Sequence, residues 1–66
     1  MLKDCILIVL HNNPRRSILG IMLELRRRGQ LPDWDVLVET VLEMMKAGEI
    51  KRSNGYMNTF VYSLAE

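Results

Sequence analysis

Cysteine, histidine and net charge are what this chain has least of. Its 66 residues include one cysteine, one histidine and two prolines, and the formal charge is only +1. A lone Cys5 allows no internal disulfide and suits a reducing compartment. Inside an apolar run it reads as a small buried hydrophobe before it reads as a reactive thiol. One cysteine and one histidine cannot make a zinc set. Cys5 and His11 are six residues apart and would fall on different sides of a helix, so they do not form a nucleophile–base pair. The four glycines stand singly, with no phosphate loop among them. No enzyme, cofactor or metal is therefore expected. The near-neutral charge also weighs against strong nucleic-acid affinity, since free-standing DNA-binding modules are usually far more basic.

Long hydrophobic runs are missing too. Cys5–Leu10 is six residues, too short to span a bilayer, and His11-Asn12-Asn13-Pro14 supplies no small-residue cleavage site. A soluble, cytoplasmic chain is expected. There is no repeat, low-complexity tract or linker, so residues 1–66 read as one domain. Such a size is near the lower limit for a self-sufficient core, and a dimer or a larger partner is a fair expectation.

What is present centres on Asp33–Gly48. Pro32 and Asp33 open a helix, Asp33 and Asp35 suit its positive end, and Lys46 and Gly48 close it. Trp34, Leu37, Val38, Val41, Met44 and Met45 recur at three- and four-residue steps and share one face. Asp35, Glu39, Glu43 and Lys46 form the opposite row. Trp34 reads first as a core anchor and second as an exposed contact.

Residues 1–12 fit either a buried strand or a helix. The helix is favoured because the neighbours are helical and no nearby run offers a strand partner. Leu2, Cys5, Ile6, Val9 and Leu10 would face the core. Leu7 and Ile8 would then be surplus, serving a homodimer seam through residues 1–12 or capping the core from its other side. A second helix is expected over Pro14–Arg28, ended by Gly29, with Ile18, Ile21, Met22 and Leu25 inward and Leu19 and Leu23 widening that face. Gly20 costs such a helix about 1 kcal/mol against alanine, which points to a close helix crossing. Arg26-Arg27-Arg28 sit where a helix dipole favours cations. Arg15-Arg16 sit where it does not, and are the better candidates for contacting an anion. Gln30-Leu31-Pro32 then turns the second helix sharply onto the third, the connection length of a helix-turn-helix.

Past Gly48 the period changes to two. Ile50-Lys51-Arg52 begins one strand and Thr59–Leu64 forms another, with Ser53-Asn54-Gly55 as a hairpin signal. A tight Asn54-Gly55 turn would set Ile50 on the face opposite Phe60, Tyr62 and Leu64. Burying large side chains, at about 1.5–3 kcal/mol each, outweighs one turn preference. Pairing of Ile50 with Tyr62 across a five-residue loop, Asn54–Asn58, or a bulge that corrects the register, is therefore expected.

Helix, helix, short turn, helix and C-terminal hairpin make an α+β order that resembles the winged helix-turn-helix superfamily. The resemblance is most specific at Lys46-Ala47-Gly48-Glu49-Ile50, with Tyr62-Ser63-Leu64 after the wing. It implies three helices and a two-stranded wing, and a transcriptional regulator that binds double-stranded DNA. On this chain it assigns phosphate contacts to Arg15, Arg16 and Ser17 and to Lys51, Arg52, Asn54 and Asn58 of the wing. It assigns groove contacts to the first turn of the third helix, Trp34 and Asp35. The acidic row suits that role poorly, because carboxylates are repelled by phosphates. The alternative is a winged-helix adaptor that binds a basic protein partner through Asp35, Glu39 and Glu43.

Overall fold

A computed structural model describes residues 2–65; Met1 of the expected dimer seam and Glu66 lie outside the described residues. Three helices, α1 (Leu2–Asn12), α2 (Ile18–Arg27) and α3 (Trp34–Lys46), precede two antiparallel strands, β1 (Ile50–Asn54) and β2 (Phe60–Leu64). The first segment is a helix, not a strand. Its Ile6, Val9 and Leu10 are buried, and it packs against α2, α3 and β2 together. The apolar stripe of each helix meets those of the others in one core. Ile21 and Leu25 come from α2, Leu37, Val41 and Met44 from α3, and the hairpin adds Ile50 and Tyr62. No described helix is long and apolar enough to cross a membrane.

Both α2 and α3 stop in the same way. Gly29 (φ 83°) and Gly48 (φ 78°) take the left-handed conformation that disfavours a Cβ. After α3, the Gly48 amide donates to the Met45 carbonyl at 3.0 Å and the Glu49 amide to that of Met44 at 2.9 Å. After α2, Gly29 and Gln30 repeat the pattern onto Arg26 and Leu25. Each pair satisfies carbonyls that the helix end leaves orphaned. Gly48→Ala should therefore lower the unfolding free energy by about 1–2 kcal/mol, the cost of one left-handed non-glycine residue, as read by denaturant unfolding. An unchanged midpoint would mean that the turn is made differently.

Several expectations need correction. Helix α2 begins at Ile18, four residues later than the proline suggests. Ser17 is its N-cap, accepting from the Gly20 amide through Oγ at 3.1 Å. The residues before it are committed elsewhere: the Arg16 amide donates to the Tyr62 carbonyl at 3.1 Å, and the Tyr62 amide returns to the Arg16 carbonyl at 2.8 Å. Arg16 thus lies extended beside β2 as a short third rung of the sheet. Gly20 marks no helix crossing. A Cβ there would meet Arg16 Cδ at 3.1 Å, so the missing side chain leaves room for the arginine stem. Leu19 and Leu23 do not widen the buried face; both are exposed. Trp34 is no core anchor: it is 47% exposed, at the point where α3 leaves the α2 turn. Asp33 caps α3 by backbone geometry, without a side-chain hydrogen bond. Leu7 and Cys5 are half-buried against the core, which leaves Ile8, 49% exposed, as the apolar residue of α1 that faces solvent.

The hairpin register also differs by two residues. Ile50 lies opposite Leu64, and Arg52 opposite Tyr62. The parity argument holds for Ile50, Tyr62 and Leu64, which share the inward face, but Phe60, expected with them, is 47% exposed beneath the Arg52 guanidinium beyond the edge of the core. The loop is still five residues, but it runs from Gly55 to Thr59. Gly55 does not use positive φ; its place is explained by space, since a Cβ would come within 2.7 Å of Val61 Cγ1. The left-handed residues are Met57 (φ 55°) and Asn58 (φ 62°) at the tip. The Asn-Gly turn gives way because closing the loop at Gly55, whose amide donates to the Thr59 carbonyl, keeps the apolar faces in step.

Candidate nucleic-acid interface

The two basic segments seen in the sequence, at Arg15-Arg16 and Lys51-Arg52, lie far apart along the chain and meet in space. What joins them is the Arg16–Tyr62 backbone pairing. Asn13 prepares this geometry: its Nδ2 donates to the Val9 carbonyl at 3.0 Å at the end of α1, and its Oδ1 accepts from Arg16 Nη2 at 3.0 Å. Arg15 reaches further, donating from Nη2 to the Asn54 carbonyl on β1 at 3.3 Å.

Strand alternation then sorts the bases. Successive side chains on β1 point to opposite faces. Ile50 points into the core, so Arg52 lies on that same face, where its guanidinium stacks at 4.2 Å from the centre of the Phe60 ring. Lys51 and Ser53 lie on the other face. Lys51 lines an open cavity of about 320 Å³ with Arg15, His11, Pro14 and Ser63, floored by Leu10 and Leu64. The wing bases expected to act together are therefore split: Lys51 lies with Arg15, and Arg52 lies across the hairpin. His11, which the sequence offers only as an isolated histidine, joins this cavity. Its signal, a polar residue at the end of α1 just before Pro14, has meaning only once β1 folds back beside it.

Ser17 and Arg16 line a second, shallower groove with Tyr56 and Thr59. The Ser17 hydroxyl is engaged as a helix cap, and the Asn54 carbonyl as an acceptor for Arg15. Asn58 sits exposed at the hairpin tip in a left-handed turn. Arg15, Arg16, Lys51 and Arg52 make no ion pair with any described carboxylate; the ion pair found among the described residues is Arg27–Glu24 at 3.0 Å. Their charge is thus not cancelled at short range.

The start of α3 is different. Trp34 and Asp35 are exposed, and Glu39 and Glu43 continue the acidic row along the solvent side with Val36 and Leu42 between them. No cluster of three or more His, Cys, Asp or Glu side chains that could hold a metal ion occurs among the described residues. Comparison with protein-family models, with curated proteins and with solved structures finds no significant match to this chain.

Proposed function

We propose that this chain is a small winged-helix protein that binds double-stranded DNA by its phosphates, through the outer face of the hairpin and the segment before α2. The observation that carries this reading is the shared cavity of His11, Arg15 and Lys51. Three elements each bring a basic or protonatable group to one concave surface, with no acid paired to either cation. Cations held this way attract a polyanion without reading its sequence. Arg16 and Asn58 extend the surface toward the hairpin tip, and Arg52 adds a base at its other edge. The element order, with three helices before the hairpin, agrees with this fold reading.

The acidic row makes α3 a poor reading head. A carboxylate can accept from a cytosine amino group, but three of them with two exposed aliphatic side chains between do not suit a phosphate-lined groove. Binding to the backbone with little base discrimination is therefore the expected mode.

An amide NMR titration with random-sequence duplex DNA at low salt, and again near physiological salt, tests this. Shifts should gather on His11, Arg15–Ser17 and Lys51–Asn58, with α3 quiet, and the affinity should fall steeply with salt. With three or four phosphates neutralised, log K should drop by roughly three units per tenfold rise in salt. A silent low-salt spectrum removes the DNA reading. The second reading, a protein-interaction module that uses Asp35, Glu39 and Glu43, would then lead. It draws on the exposure of that row beside an uncovered Trp34.

A further inference from the structure

The elbow between α2 and α3 gathers several exposed large apolar side chains. Leu31 is 76% exposed and Leu19 58%, and with Met22, Pro32 and Trp34 they line a groove of about 350 Å³. Arg26 is the one charged residue in its lining. The next base, Arg27, is held by Glu24, whereas Arg26 pairs with no described carboxylate. The groove is thus apolar with one unspent positive charge. It calls for a face that sets carboxylates beside an apolar side chain, and the chain has one of its own. Helix α3 turns Asp35, Glu39 and Glu43, with Leu42 among them, to solvent.

We propose that a second copy of this chain occupies the groove, forming a two-fold dimer across the α2–α3 elbow. The exposed face of α3 from each copy lies against α2 and the Leu31 turn of the other. A two-fold contact uses the same patch twice, so the patch must contain both halves of the match. This one does, with Arg26 and the leucines on α2 and the acids and Leu42 on α3. Stable interfaces take about 800 Å² from each partner, a modest part of the 4657 Å² this chain exposes. The dimer does not depend on the phosphate reading. It would also leave the outer hairpin face open and account for an α3 unsuited to a DNA groove.

Sedimentation velocity of the full chain without DNA tests the proposal, at micromolar to millimolar concentration and at two salt levels. A species of twice the 7.7 kDa chain mass is expected, and salt should weaken it. Leu31→Asp lies at an exposed turn position and should fold normally, while raising the dissociation constant at least tenfold. Arg26→Glu and Glu39→Arg should each weaken the dimer, and the two together should recover part of the loss. A monomer throughout the range overturns the proposal. So does a dimer indifferent to Leu31→Asp and Arg26→Glu but broken by Ile8→Asp, which would place the contact on α1. DNA binding by a monomer would separate the two proposals cleanly.

Discussion

Tyr62→Ala is expected to leave much of the chain unfolded at room temperature, whereas Tyr62→Phe should be nearly neutral. Tyr62 is 4% exposed and packs in the core with residues of all three helices. Removing an aromatic ring from such a place costs about 3–5 kcal/mol, from lost burial and from the cavity that remains. A chain of this length holds roughly 3–10 kcal/mol in total, so the loss consumes a large part of it. The ring also sits at the residue whose backbone holds Arg16 against β2. Its loss should therefore loosen the basic face before the helices separate. Denaturant unfolding at matched protein concentration, followed by far-UV circular dichroism, gives the magnitude; matched concentration matters because a dimer would add stability by mass action. A drop of less than about 1 kcal/mol for Tyr62→Ala would mean that the hairpin does not seal the core as described.

The second large effect is expected on binding. Arg15→Gln combined with Lys51→Gln should weaken duplex DNA binding by about ten- to a hundredfold at low salt and flatten the salt dependence by roughly two units, one per phosphate contact. Neutral substitutions keep most of the side-chain length, and both positions are exposed, so folding should survive. Arg28→Gln is the matched control: it removes a cation at the far end of α2, outside the cavity, and should change affinity by no more than about twofold. Fluorescence anisotropy with a labelled duplex reads all three. If Arg28→Gln does as much harm as the double variant, the phosphates lie along the Arg26–Arg28 cluster and the outer hairpin face is the wrong surface. Arg52→Gln should fall between these limits. Its guanidinium is offset across the hairpin and stacked on Phe60, and so is less free to follow a phosphate.

Periodicity and punctuation made much of the fold legible. The three-and-four spacing of Leu37, Val41 and Met44 marks the buried face of α3, and Gly29 and Gly48 mark helix ends through a backbone need that is local and strong. The parity of the hairpin was legible as well, since burying Ile50 with Tyr62 and Leu64 leaves only registers that differ by two. Which of those registers forms could not be read. That choice depends on how the loop closes around Gly55 and Thr59, and neighbouring registers of equal parity bury similar groups.

The start of α2 was misread for a related reason. Pro14 is compatible with a first helical turn, and nothing local shows that the Arg16 backbone is needed by a strand 46 residues later. Trp34, Leu19 and Leu23 carry the same lesson for burial: helical spacing says which residues share a side, but the packing of neighbouring elements decides how wide the covered stripe is.

The amino-acid sequence by itself determined the helix-helix-helix-hairpin order, the glycine stops of α2 and α3 and the centre of each inward face, because these follow from short-range backbone preferences and from the period of its apolar residues. Only the tertiary structure decided that Arg15, Lys51 and His11 share a cavity, that Arg52 lies across the sheet from them, and that Trp34 stays in solvent. Those outcomes rest on pairings between residues distant along the chain, above all Arg16 with Tyr62, and no local pattern encodes which strand edge an extended segment will meet.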